Sequence, residues 1–290
     1  MRTVTPRLRI PLILFSFILP AAAQSKLPAN PKPNPAFQQA ETAYAAGDLH
    51  AALRLYNQAA ATDPNFYEAP LDAGNSAYKL GDYTQAITDF QRAIAIDPVR
   101  ETAYRFLGQT LLRTGQPGPA EDQFLNAIVA EPYAKAPRIA LKQWADATHS
   151  RLIDLPIRLP TPNAPLTPGP ISAIWKPYLN STRTWSQPGL AGAKAPPPRH
   201  TLAEETTALR AVLARIDALE KANQITESQL DPTLRSLRLL DKDGMLESWL
   251  LLDHWDQGLA QDYPAYRPGR HDLLIAYMKK YVVHPPTTAN

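Results

Sequence analysis

Cysteine is absent from the 290-residue chain. That excludes disulfides, a thiol nucleophile, thiolate metal sites and a lipidated cysteine behind a leader. Stability must come from core burial, and the length allows one or two domains with proper cores. Long apolar runs are missing too: Ile10 to Leu19 is well short of the roughly 20 residues that span a bilayer. An excess of one charge is also lacking. The formal +3 equals Arg2, Arg7 and Arg9, so beyond Ala23 the 27 acidic residues meet 27 basic ones. The basic pI therefore gives no footing for a nucleic-acid role. No His-Glu-x-x-His helix, nucleophile elbow or phosphate loop occurs, which argues against an enzyme, and no cofactor is expected.

What is present begins with an address. The basic start, the apolar stretch and Ala21-Ala22-Ala23 read as a signal peptide over residues 1–23, cut near Ala23. The expected location is exported, periplasmic or extracellular, with no transmembrane segment after cleavage. Prolines at 28, 31, 33 and 35 make residues 24–35 an extended leader.

From residue 36 the same residue types return every 34 positions. Gly47, Gly81 and Gly115 keep that interval, as do Pro64, Pro98 and Pro132, Ala52, Ala86 and Ala120, and Ala59, Ala93 and Ala127. Each unit reads as two helices joined by a tight turn, Gly ending the first helix and Pro closing the second. Asp48 and Asp82 are placed to cap second helices. The alanines mark close helix crossings, with Tyr56, Phe90 and Phe124 filling the space beside them. After Pro132, a stripe of Ile139, Leu141, Trp144, Ala145 and Leu152 predicts a helix covering the last repeat.

At these residues the chain resembles the tetratricopeptide repeat family, through Gly74, Tyr78, Gly81, Ala86, Phe90, Ala93 and Pro98 in the second unit. The third unit matches with Tyr104, Leu107, Gly108, Gly115, Ala120, Phe124, Ala127 and Pro132, and the first is degenerate, with Ala40 in place of a glycine. The resemblance implies an all-α solenoid of three repeats plus a capping helix over residues 36–155. It also implies a concave groove for a protein or peptide partner. The matching positions are Phe37, Glu41 and Tyr44, then Leu71, Asn75, Tyr78 and Lys79, then Arg105, Gln109, Leu112 and Arg113. Glu41 and the aromatics lie toward one end, with Lys79, Arg105 and Arg113 toward the other. A partner with an acidic segment suits this set. Family members that clamp chaperone tails use a Lys, Asn and Arg constellation. Here the matching positions hold Phe37, Glu41, Asp72, Thr102 and Phe106, with only Asn75 retained, which implies another partner.

Eleven prolines between 156 and 200 predict a Pro-rich linker. It is basic: from Ala136 to His200 eight basic residues meet only Asp146 and Asp154. Its patch of Ile171, Ile174, Trp175, Tyr178 and Trp185 should dock on the repeats. Asn180-Ser181-Thr182 has the form of a glycosylation sequon in this linker. Residues 201–290 read as a small helical region, and a stripe of Leu202, Leu209, Val212, Ile216 and Leu219 offers self-association as a competing role. A third reading, an envelope enzyme or metal-binding protein, uses the acids and histidines from Asp241 to Asp272. Their spacing fails the calcium-loop pattern, so no metal is expected.

Overall fold

The computed structural model describes residues 34–161, 165, 168–185, 200–254 and 256–286. The signal peptide and nearly all of the leader lie outside that set. Six helices form three antiparallel pairs: α1 (Pro35–Ala45) with α2 (Leu49–Thr62), α3 (Glu68–Leu80) with α4 (Tyr83–Ile96), and α5 (Glu101–Arg113) with α6 (Pro117–Ala130). Local chemistry sets each boundary. Asn34, Asp48 and Asp82 cap α1, α2 and α4 by accepting from first-turn amides, and α6 instead starts with Pro117. Gly47, Gly81 and Gly115 turn the chain at φ near +80°, which disfavours a side chain.

Packing explains the small residues. The six alanines at 52, 59, 86, 93, 120 and 127 are fully buried, beside buried Tyr56, Phe90 and Phe124. A Cβ at Gly74 would lie 2.6 Å from Cε1 of Phe90, and one at Gly108 would lie 2.8 Å from the same atom of Phe124. Each ring therefore rests on a backbone, which brings the paired helices close.

Helix α7 (Lys135–Thr148) covers the third pair, and its Trp144 indole donates to the Pro117 carbonyl at 2.8 Å. Ile139 departs from the expected apolar stripe: it is 55% exposed, and Leu141, Trp144 and Ala145 carry the buried face. Leu152 is not in that helix; it belongs to strand β1 (Arg151–Leu152), which pairs antiparallel with β2 (Val283–His284).

The proline-rich stretch is not only a linker, which corrects the expectation for 156–200. It contains the turn α8 (Pro170–Ala173) and the helix α9 (Lys176–Trp185), with Ile174, Trp175, Tyr178 and Leu179 buried. Pro170 and Pro177 fall in first helical turns, where a missing amide costs nothing. Through α9 the patch packs mainly on α10 (Leu202–Lys221), and among the described residues no repeat helix packs against α9 to a comparable extent, which corrects the expected docking on the repeats. Thr182 of the sequon is buried on α9.

The remaining elements are α11 (Pro232–Lys242), α12 (Leu246–Leu252), α13 (Gln257–Ala260), α14 (Tyr263–Tyr266) and α15 (His271–Tyr277), the last continuing in a wide turn. They pack back on the solenoid, and one apolar core runs from Tyr67 to Val283. Tyr263 donates to the Val129 carbonyl at 2.7 Å, and Lys279 pairs with Asp122 at 2.6 Å. The stripe proposed for self-association is consumed here: Leu209, Val212 and Ile216 are fully buried within the chain.

Glu205 sits in that stripe because it has partners. Its side chain is 1% exposed, accepts from the Tyr178 hydroxyl at 2.8 Å and lies 2.7 Å from Nε2 of His200. The His200 ring stacks on Trp185 at 4.0 Å, with Asp256 3.5 Å from its Nδ1. Burial works to lower the His200 pKa, but the hydrogen bond and charge of Glu205, with Asp256 and Glu204 adding, raise it above the ordinary imidazole value.

The Asp241–Asp272 cluster does not gather at one place. Asp241 pairs with Arg210, Asp243 with Lys280, and Asp253 accepts from Tyr277. Asp262 accepts from the Leu202 amide, while His271 and Asp272 are exposed and touch only each other among the described residues. These carboxylates hold segments together, and among the described residues no set of three or more could hold a metal ion.

Candidate binding groove

Helices α1, α3 and α5 bring repeat-equivalent positions into register on one side of the solenoid. Between them lies a cavity of about 290 Å³. Tyr44, Tyr78, Phe90 and Phe106 supply its aromatic walls, the amides of Asn75 and Gln109 face it, and Lys79 stands at its edge. Lys79 Nζ is 4.4 Å above the Tyr44 ring, so part of its charge is spent on a π face. Tyr78 meets Tyr83 edge-on at 5.5 Å, and Phe90 meets Phe106 at 5.7 Å. These ring pairs fix the walls before any partner arrives.

Five of the eleven sequence-derived positions line this cavity: Tyr44, Asn75, Tyr78, Lys79 and Gln109. The others are used elsewhere. Phe37 packs on Tyr56 and Phe66 at 5.4 and 4.8 Å, and Leu71 is core at 8% exposure. Leu112 leans on the same core. Glu41 accepts the Tyr56 hydroxyl. Arg105 is paired with Glu101 at 2.8 Å, and Arg113 donates to the Tyr83 hydroxyl at 3.3 Å. The basic end is thus narrower than the sequence implied, with Arg105 already neutralised by its own helix.

The sequence set omitted Phe90 and Phe106, which read as core and as a departure from the tail-clamping pattern. It also omitted Asp72. Burial pushes this carboxyl up to about 6, opposed by the hydrogen bond from Asn75 and reinforced by Glu41 and Glu68. Asn75 donates to Asp72 at 3.1 Å, leaving one amide hydrogen for a partner. Gln109 has no side-chain partner among the described residues. Chemically, the arrangement can seat an apolar side chain, hydrogen-bond an extended backbone and meet an acidic group at its rim.

Comparison with known proteins places the repeats. The family model described as tetratricopeptide repeat matches residues 37–98 and 71–137. No curated protein matches significantly. Among solved structures, the chain is similar to the Arabidopsis OM64 TPR domain at 22% identity, covering 38% of this chain and 92% of that one, with a TM-score of 0.36. It is similar to the second TPR domain of human RPAP3, in complex with an HSP70 peptide, at 20% identity, 38% and 91% coverage and a TM-score of 0.36. The Yersinia enterocolitica type III secretion chaperone SycD, in complex with a peptide of the translocator YopD, matches at 16% identity, 39% and 91% coverage and a TM-score of 0.37.

Proposed function

Because residues 37–137 are a tetratricopeptide repeat array, we propose that the chain is a non-enzymatic adaptor that holds a segment of a partner protein in its concave groove. The observation that carries this reading is the preformed cavity of about 290 Å³ with aromatic walls and convergent amides. A site of this composition suits a peptide, with ring walls for one anchoring side chain and amides for its backbone. Gln109 and the second hydrogen of Asn75 hold that backbone, and Lys79, with Arg113 beyond it, meets an acidic residue. A solenoid presents such a surface without having to order a loop first.

The test is crosslinking capture by the chain from Gln24 onward, from an envelope extract of its host, beside a Lys79→Glu variant. Lys79 is exposed and makes no ion pair among the described residues, so the variant should still fold, melting only a few degrees below the parent for the lost Tyr44 contact and the acid at the end of α3. A partner held by the parent should fall at least about tenfold with the variant, the order expected for one reversed charge contact. Equal capture by both chains would remove the groove as the working surface.

Export is part of the proposal and rests on the residue pattern of 1–23. Protein recovered from the host should begin at Gln24. An intact Met1 terminus would overturn the cleavage.

A further inference from the structure

A second cavity, of about 560 Å³, opens where the C-terminal helices meet the end of the solenoid. Three separate stretches build it: the loop and start of α7 from 132 to 138, the extended chain from 154 to 158, and residues 249 to 254 after α12. Sites between packed units, in this size range, are where small ligands usually bind.

The charges around it are unequal in availability. Arg138 is committed, donating to the Leu252 carbonyl and lying 3.5 Å from Asp253. Asp253 is committed too, since it also accepts from Tyr277. Left over are Arg158 and Lys135, whose side chains have no partner among the described residues, and Asp154, in the same state. Arg158 uses only its backbone amide, on Thr233 at 3.1 Å. His254 stacks on Trp249 at 5.3 Å, and burial lowers its pKa, so near neutral pH it stands in the wall uncharged. Ile157, Leu155 and Leu252 supply apolar wall.

Two free cations against one free carboxylate favour a single negative charge; a dianion would meet Asp154 unfavourably. The apolar wall calls for a body attached to that charge. We propose that this cavity binds a small organic monoanion, its carboxylate held by Arg158 and Lys135 and its apolar body lying against Ile157 and Leu252. The carboxylate can belong to a free organic acid or to the end of a peptide. The site is separate from the groove and does not depend on the adaptor reading.

The test is calorimetric titration of the chain from Gln24 onward with phenylacetate, phenylacetamide, phenyl phosphate and N-acetylglycylphenylalanine. Phenylacetate should bind, the neutral amide should not, and phenyl phosphate should bind more weakly than the monoanion. Arg158→Glu and Lys135→Glu, both at exposed positions, should each weaken phenylacetate at least about tenfold, while Lys79→Glu leaves it unchanged. The peptide binding more tightly than phenylacetate would identify a chain terminus as the source of the carboxylate, and the reverse a free acid. Absence of phenylacetate binding, equal binding of the amide, or parent-like affinity in both charge-reversed variants would overturn the proposal.

Discussion

Replacing His200 with alanine should cost the folded chain about 3 kcal/mol, because it leaves a fully buried Glu205 carboxylate without its cation. At this size that is a fall in melting temperature of about 6 °C or more. Tyr178 still donates to the carboxylate, but one hydroxyl does not replace an ion pair at 2.7 Å. Adding Glu205→Gln to the His200→Ala chain should recover most of the loss, since a neutral amide can still accept from Tyr178. The pair also makes stability depend on pH. The folded pKa of His200 is raised, so its contribution is complete below the unfolded imidazole value, about 6.5, and is lost as the pH climbs through the folded value. His254 acts in the opposite sense: its lowered pKa makes its penalty appear as the pH falls. The difference between parent and His200→Ala, followed by thermal melts from pH 5 to about 9, isolates the first effect and should shrink at the alkaline end. A variant that melts with its parent at every pH would show that the pair contributes nothing.

A chain ending at residue 155 should be far less stable than the whole. Leu125, Ile128 and Val129 of α6 are 0–2% exposed, in the core shared with the C-terminal helices. Uncovering even two such side chains forfeits roughly 3–6 kcal/mol, and the bonds from Tyr263 and Lys279 to α6 go with them. Urea unfolding of the whole chain should show one transition, at the same midpoint by circular dichroism and by tryptophan fluorescence. The fragment should unfold at markedly lower urea. Equal midpoints would mean that the C-terminal helices are carried by the array and do not support it.

The solenoid was legible in the sequence because its contacts are local and repeated, so Gly81, Ala86, Phe90 and Pro98 each recur 34 residues on in the same role or nearly so. What was not legible depends on distant partners. Val129 and Tyr263 meet across 134 positions, and no periodicity announces such a contact. Proline density concealed α9, because Pro177 breaks a helix in its interior but not in its first turn. Glu205 interrupts an apolar stripe, and the reason lies on two other segments, at Tyr178 and His200. In the groove the 34-residue register identified the helix face but not which side chains were already spent: Arg105 belongs to Glu101, and Leu71 to the core. The second cavity was invisible for the same reason, since its walls come from three stretches that lie as far apart as Pro132 and His254.

The covering of α6 by α15, tied down where β2 pairs with β1, also limits assembly. A solenoid with two bare ends can stack head to tail, and such contacts do not close, so they grow into filaments. Here one end is already occupied by the chain's own C-terminal helices. Head-to-tail growth through that end is therefore closed to further copies.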